Sequence, residues 1–238
     1  MFKKYAKTLF EKVFYNNGFL PYAKNLYNWP LEDLEFQNIL KMQEDFGWDR
    51  GYGPKIQRLY MLRNLILSIK GLEADWAECG VFKGSSSLVM AEYNIRYSLL
   101  NEKYKIHLFD SFQGLSNPTK NDSGLKFKAG DFKGDLSEVK NNLIEYDFFE
   151  YHQGWIPDKF HEVSDKKFSF VHIDVDLYQP VKESLEFFIP RMVKGGYILL
   201  DDYGCRDLPG AYKATNEIAD LNNLKICKMP YGQGYIRF

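Results

Sequence analysis

The chain has 238 residues, 45% of them apolar and 26% charged, which suits one large or two small globular domains and excludes a disordered or collagen-like polymer. Thirty-one Lys and Arg against 32 Asp and Glu leave a formal charge of −1, so the overall positive field behind nonspecific nucleic-acid binding is missing and no nucleic-acid partner is expected. Cys79, Cys205 and Cys227 are too few and too scattered for a disulfide framework or a CxxC metal site. They are expected to be small buried apolar residues in a reducing cytoplasm.

No window reaches the ~18 uninterrupted apolar residues of a membrane span, so no integral membrane segment is expected. At the N-terminus Phe2, Tyr5, Ala6, Leu9, Phe10, Val13 and Phe14 recur at helical spacing, with Lys3, Lys4, Lys7, Glu11 and Lys12 on the other face. Such a helix is expected to pack on the protein's own core or on a second copy rather than on a lipid surface, which makes a homo-oligomer an expectation. Asn16-Asn17-Gly18 would cap it. A second helix is expected from about Leu31 to Phe46, and a third from about Ile56 to Lys70, after the breakers Gly51, Gly53 and Pro54. Residues 1–70 thus read as a helical extension, a lid or an oligomer contact, and residues 71–238 as a second region of different character.

From Gly71 onward short apolar runs alternate with helical stretches. The runs are Ala74–Cys79, Lys105–Phe109, Phe148–His152, Phe168–Ile173 and Tyr197–Leu200. Helices are expected near Ser85–Leu100, Leu136–Tyr146, Gln179–Met192 and Gly210–Leu221. This alternation predicts an α/β fold whose parallel sheet is covered on both faces. Lys225–Met229 and Gly234–Phe238, joined by a short turn, would close it as an antiparallel hairpin and bring the sheet to seven strands.

Ligands of open α/β sheets sit beyond the carboxyl ends of the strands, so the residues there carry most weight. After the first strand comes Glu78-Cys79-Gly80-Val81-Phe82-Lys83-Gly84-Ser85-Ser86-Ser87. Its glycines allow close approach of a ligand, and Ser85–Ser87 open a helix whose free N–H groups suit an anion. The spacing is neither GxGxxG nor a P-loop, which disfavours NAD chemistry. Asp110, followed by Ser111, ends the second strand, where a carboxylate can accept both hydroxyls of a ribose or simply cap a turn. Asp174 and Asp176 end the fourth strand; Asp201 and Asp202 end the fifth. One crossover helix fits between them, so the two strand ends are expected to be neighbours. Four converging carboxylates repel unless neutralised, and a hard divalent cation, Mg²⁺ first, is the economical answer. His172 alternates to the same side as Asp174; a core histidine is its plainer reading and proton transfer its functional one.

Taken together, Ala77-Glu78-Cys79-Gly80-Val81, Gly84-Ser85-Ser86, Phe109-Asp110-Ser111-Phe112-Gln113-Gly114-Leu115, Gly154-Trp155, Asp174-Val175-Asp176-Leu177-Tyr178 and Gly195–Gly204 resemble the macrocin O-methyltransferase (TylF-like) family over about residues 56 to 222. The resemblance implies a class I methyltransferase fold, Rossmann-like, that binds S-adenosylmethionine and a divalent metal. It places Glu78 and Gly80 at the methionine end of the cofactor and Ser85, Ser86 and Ser87 near its carboxylate. Asp110 and Ser111 would lie at the ribose, and Gly154 and Trp155 near the adenine. It also makes Asp174, Asp201 and Asp202 the metal ligands. Methyl transfer to a hydroxyl of a small-molecule or glycan acceptor follows, with Asp174 the first choice of base and Asp176 and His172 behind it. The sequence departs from the family pattern at Lys83, where Gly is frequent, and at Val175, where Gly is usual; the latter would reshape the substrate side of the metal site. The rival reading is a metal-dependent glycosyltransferase that holds a sugar nucleotide through Asp174-Val175-Asp176. It leaves Glu78–Ser87 and Asp201-Asp202-Tyr203 unused.

Overall fold

The computed structural model describes residues 29–48 and 53–238. The helix expected at residues 2–14, its Asn16-Asn17-Gly18 cap and Gly51 lie outside the described residues. By contact the chain divides between Asn38 and Ile39, and the unit from Ile39 onward carries the sheet.

The helix expected from Leu31 to Phe46 is interrupted. A single turn, Trp29–Glu32, precedes α1 (Leu34–Asp45), and Asp33 between them accepts the Phe36 N–H at 3.0 Å as a cap. Helix α2 (Gly53–Ser68) starts three residues before Ile56, because the first turn of a helix accommodates a proline. Although it falls within the stretch read as an extension, α2 packs against α3 (Ser85–Tyr97) and belongs to the sheet-bearing unit.

The seven strands are β1 (Asp75–Cys79), β2 (Ile106–Asp110), β3 (Phe149–Gln153), β4 (Phe168–Ile173), β5 (Met192–Leu200), β6 (Ile226–Lys228) and β7 (Gly234–Arg237). They lie in the order β3-β2-β1-β4-β5-β7-β6. The first five are parallel; β7 runs antiparallel to β5 and to β6, as the expected hairpin requires. Helices α4 (Leu136–Asn142), α5 (Tyr178–Phe188) and α6 (Pro209–Leu221) complete the alternation. Helix α5 stops earlier than expected because Pro190 lies in the 3₁₀ turn that follows it. Strand β5 begins earlier than Tyr197, since Gly195 at φ +88° lets the chain bend while staying paired through Gly195 N–H to Phe238 O.

Strand order reverses between β1 and β4, the crevice where such sheets bind ligands. Register then levels the strand ends: Cys79 pairs with Phe109 and Ile173, and Ile173 with Leu200. Gly80, Asp110, Asp174 and Asp201, each the next residue, therefore share one edge. Beneath that edge Phe109, Phe160, Phe168 and Phe188 pack edge to face with centroids 5.0–6.2 Å apart. Cys79 is buried as expected, but Cys227 is exposed and Cys205 partly so, because β6 forms the sheet's outer edge and Cys205 lies in the loop after β5. Among the described residues no helix is long and apolar enough to cross a membrane.

Candidate active site

A cavity of ≈560 Å³ opens at this edge, walled by the loops after β1, β2, β4 and β5 and by α2. Of the residues expected to bind a cofactor, Gly80, Ser85, Ser86, Asp110 and Ser111 line it on one side. Gly154 and Trp155, after β3, line it as well. Gly80 has φ +89°, and a Cβ there would lie 1.8 Å from the carbonyl oxygen of Asp174. Only glycine lets β1 and β4 end that close together, a junction sealed by the Asp174 N–H donating to Cys79 O at 2.8 Å.

Asp110 holds these loops. Its Oδ2 accepts the N–H groups of Val81 at 2.7 Å and Phe82 at 2.8 Å, and its Oδ1 that of Phe112 at 2.6 Å. A carboxylate offers about four acceptor positions, so these backbone bonds leave one available to a ligand hydroxyl. Glu78 and Ser87 lie deeper, fully buried and outside the cavity lining. Glu78 accepts hydrogen bonds from the hydroxyls of Ser86 and Ser87, which ties β1 to the first turn of α3.

His172 bridges that pair to the acids. Its Nδ1 is 3.0 Å from Glu78 Oε1 and its Nε2 3.5 Å from Asp201 Oδ1. Burial would lower its pKa, but the bonds to Asp201 and Glu78 outweigh it and hold the ring up at about 10. His172 thus ties the carboxylate of Glu78 to that of Asp201.

The acids converge as two overlapping groups: ligand atoms of Asp174, Asp176 and Asp202 lie within 4.8 Å of one another, as do those of His172, Asp174 and Asp201. Asp201 is heavily engaged. Arg58 forms an ion pair with its Oδ2, and Gln233 donates to its Oδ1 at 2.7 Å. Burial opposes its ionisation, but His172 and Arg58 prevail and its carboxyl lies below the usual range. Asp202 is the opposite case: burial, with Asp174 and Asp176 beside it, pushes its carboxyl well up, and its Oδ2 is buried without a hydrogen-bond partner. Burial first and then the charge of Asp201 raise Asp174 to about 8 and Asp176 to about 6. Asp176 has φ +58°, and the Leu177 N–H reaches Val175 O across it at 2.5 Å. Phe82 and Phe112 also hold positive φ, 51° and 57°, so three of the loops at this edge store backbone strain.

Arg58 and Gln233 were not singled out by sequence. Arg58 is one of several charged residues on α2, and Gln233 sits in a stretch legible only as a turn.

The model of the family described as Macrocin-O-methyltransferase (TylF) matches residues 55–227. A Streptomyces olivaceus protein named 8-demethyl-8-(2,3-dimethoxy-alpha-L-rhamnosyl)-tetracenomycin-C 4'-O-methyltransferase is 26% identical over 163 residues, 63% of this chain and 62% of its own length. The demethyldecarbamoylnovobiocin O-methyltransferase of Streptomyces niveus is 27% identical over 186 residues, 69% of this chain and 68% of its own. The chain thus spans a little under to a little over two thirds of these relatives. Among solved structures, CalS11, a calicheamicin methyltransferase, superposes with a TM-score of 0.71 at 19% identity, covering 87% of this chain and 93% of that one. The O-methyltransferase NovP gives 0.63 at 22% identity, covering 76% and 79%. The glycosyltransferase alternative is overturned by the family match, and Asp-Val-Asp is half of a four-acid group rather than an isolated motif. The fold is that of class I methyltransferases, and the chain belongs to the macrocin O-methyltransferase family.

Proposed function

We propose that the chain transfers a methyl group from S-adenosylmethionine to a hydroxyl of a sugar, on a glycosylated natural product or a surface polysaccharide, with the help of a divalent cation. The observation that carries this reading is the convergence of Asp174, Asp176 and Asp202 beside the glycine-walled cavity, with the buried Asp202 Oδ2 unpartnered. An all-oxygen donor set of high charge suits a hard cation such as Mg²⁺. Asp174 and Asp202, with Asp176 of the same group, would hold it. Asp201, the third ligand implied by the resemblance, is engaged by Arg58, His172 and Gln233. When bound, the ion stabilises the developing alkoxide of the acceptor.

The protein's own residues supply the rest. Arg58, Gln233 and His172 fix the carboxylate of Asp201. Asp110 and the loops it ties would position the adenosyl group, so that methyl donor and acceptor oxygen meet in line, about 3 Å apart. Asp174 stays the first choice of base, with Asp176 behind it, since a carboxylate that meets a cation through one oxygen keeps acceptor positions on the other. The sugar acceptor rests on relatives named for rhamnosyl-tetracenomycin and for novobiocin.

The test is thermal stability with S-adenosylmethionine or S-adenosylhomocysteine, against UDP-sugars and NAD, with Mg²⁺ and with chelator. A ligand at 100 times its dissociation constant stabilises by about 2.7 kcal/mol. The expected result is stabilisation by the adenosyl ligands alone; a response confined to UDP-sugar with metal would overturn the reading.

A further inference from the structure

Outside the cavity, a second titratable cluster lies where β2 meets the edge strand β3. Register sets His107 opposite Glu150, and His152, two residues further along β3, shares the face of Glu150. His107 Nδ1 is 3.0 Å from His152 Nε2 and 3.4 Å from Glu150 Oε2, and ligand atoms of all three fall within 4.8 Å of one another. A tetrahedral Zn²⁺ with bonds of about 2.0–2.1 Å separates its ligand atoms by about 3.3 Å. Both spacings are close to the edges of such a tetrahedron.

The far side of each ring supports the same geometry. His152 Nδ1 is 2.6 Å from Glu162 Oε2, and His107 Nε2 is 3.4 Å from Asp75 Oδ2. Carboxylates behind ligating histidines are the usual means of fixing tautomer and ring orientation. The inner nitrogens are in hydrogen-bond contact beside the Glu150 carboxylate, while His107 Nε2, although near Asp75, is buried without a hydrogen-bond partner. His107 and His152 are 1% and 7% exposed, so both rings are shielded from bulk water. The rings are also held by packing: Phe109 stacks on His152 at 4.4 Å, and Phe168 meets His107 edge-on at 5.9 Å. The Glu150 side chain, 49% exposed, leaves the cluster open to solvent on one side, where water can complete the coordination.

We propose that His107, His152 and Glu150 form a second divalent-metal site, of Zn²⁺ type, with Asp75 and Glu162 as positioning residues behind it. Imidazole nitrogen with one carboxylate is a donor set suited to Zn²⁺, unlike the all-oxygen set in the cavity. The ion would clip the edge strand to its neighbour.

The test uses the full chain, stripped with chelator and carrying Asp174→Asn to weaken the acid cluster. Co²⁺ is titrated with visible ligand-field absorption as readout, and Zn²⁺ by calorimetry. One equivalent should bind with the intense absorption of tetrahedral Co²⁺, displaced by Zn²⁺. Glu150→Gln, at an exposed position that the fold does not depend on, should weaken binding at least 10-fold, and Glu162→Gln by about 10–100-fold. Zn²⁺ should raise the melting temperature of the parent and not of Glu150→Gln. Absence of binding, or binding unchanged in Glu150→Gln, would overturn the proposal and leave a proton shared between the histidines as the explanation of their contact.

Discussion

The two ionisable clusters of this sheet are built by opposite devices. Asp174, Asp176, Asp201 and Asp202 follow strand ends, where the chain turns sharply and one acid, Asp176, takes a left-handed backbone angle. His107, Glu150 and His152 lie within strands and are brought together by pairing alone. The first arrangement gathers four carboxylates around one arginine and one histidine and leaves Asp202 Oδ2 buried without a partner; the second surrounds each ring with carboxylates and aromatic faces. Loop ends can be re-aimed residue by residue, whereas a strand interior offers only the alternation of the pleat.

Substitutions can break or sharpen that contrast. The largest expected effect is at Asp174→Asn. If the cation supplies about 4 kcal/mol of charge stabilisation, turnover should fall by about 10³-fold, while S-adenosylhomocysteine still raises the melting temperature. Lost cofactor binding in a folded variant would contradict the assignment. Next is Gly80→Ala, where a Cβ 1.8 Å from Asp174 O, at φ +89°, forces β1 and β4 apart. A loss of roughly 2–4 kcal/mol is expected in urea unfolding, with weaker cofactor binding. Arg58→Met removes the ion pair to Asp201, but the arginine side chain is 29% exposed. The stability cost should then be about 1 kcal/mol, screened by solvent, and activity should fall further than stability does. Smallest is Asp135→Ala, at the exposed N-cap of α4 and away from both clusters, where loss of the bond from the Ser137 N–H at 2.8 Å should lower the melting temperature slightly and leave turnover unchanged.

The same contrast decides what could be read in advance. Acids immediately after apolar runs announce strand ends, so Asp110, Asp174 and Asp201 fall on one edge once the sheet is granted. The close approach at Gly80 and the buried state of Glu78 required knowing that β1 lies between β2 and β4. His107 and His152 gave no local signal, because their contact depends on which strands pair and in what register. Arg58 was hidden for a related reason: its partner Asp201 is 143 residues away, and nothing along α2 marks the face that meets it. Asp33 and Pro190 shifted helix boundaries by capping and by ring sterics that a hydrophobic period does not register.

The clamp on Asp201 has a consequence in time. Gln233 donates both to Asp201 and, at 3.3 Å, to the backbone carbonyl of Arg58, across a separation of 175 residues. Polypeptides are made from the N-terminus at about 5–20 residues per second, so roughly 9 s or more pass between synthesis of Arg58 and synthesis of Gln233. Throughout that interval the nascent chain can form α2, β1 and the first parallel strands, and between synthesis of Asp201 and of Gln233 the carboxylate has Arg58 and His172 within reach but not the amide that completes its clamp. The carboxylate at the end of β5 therefore gains its last hydrogen bond only once the turn before β7 has been made.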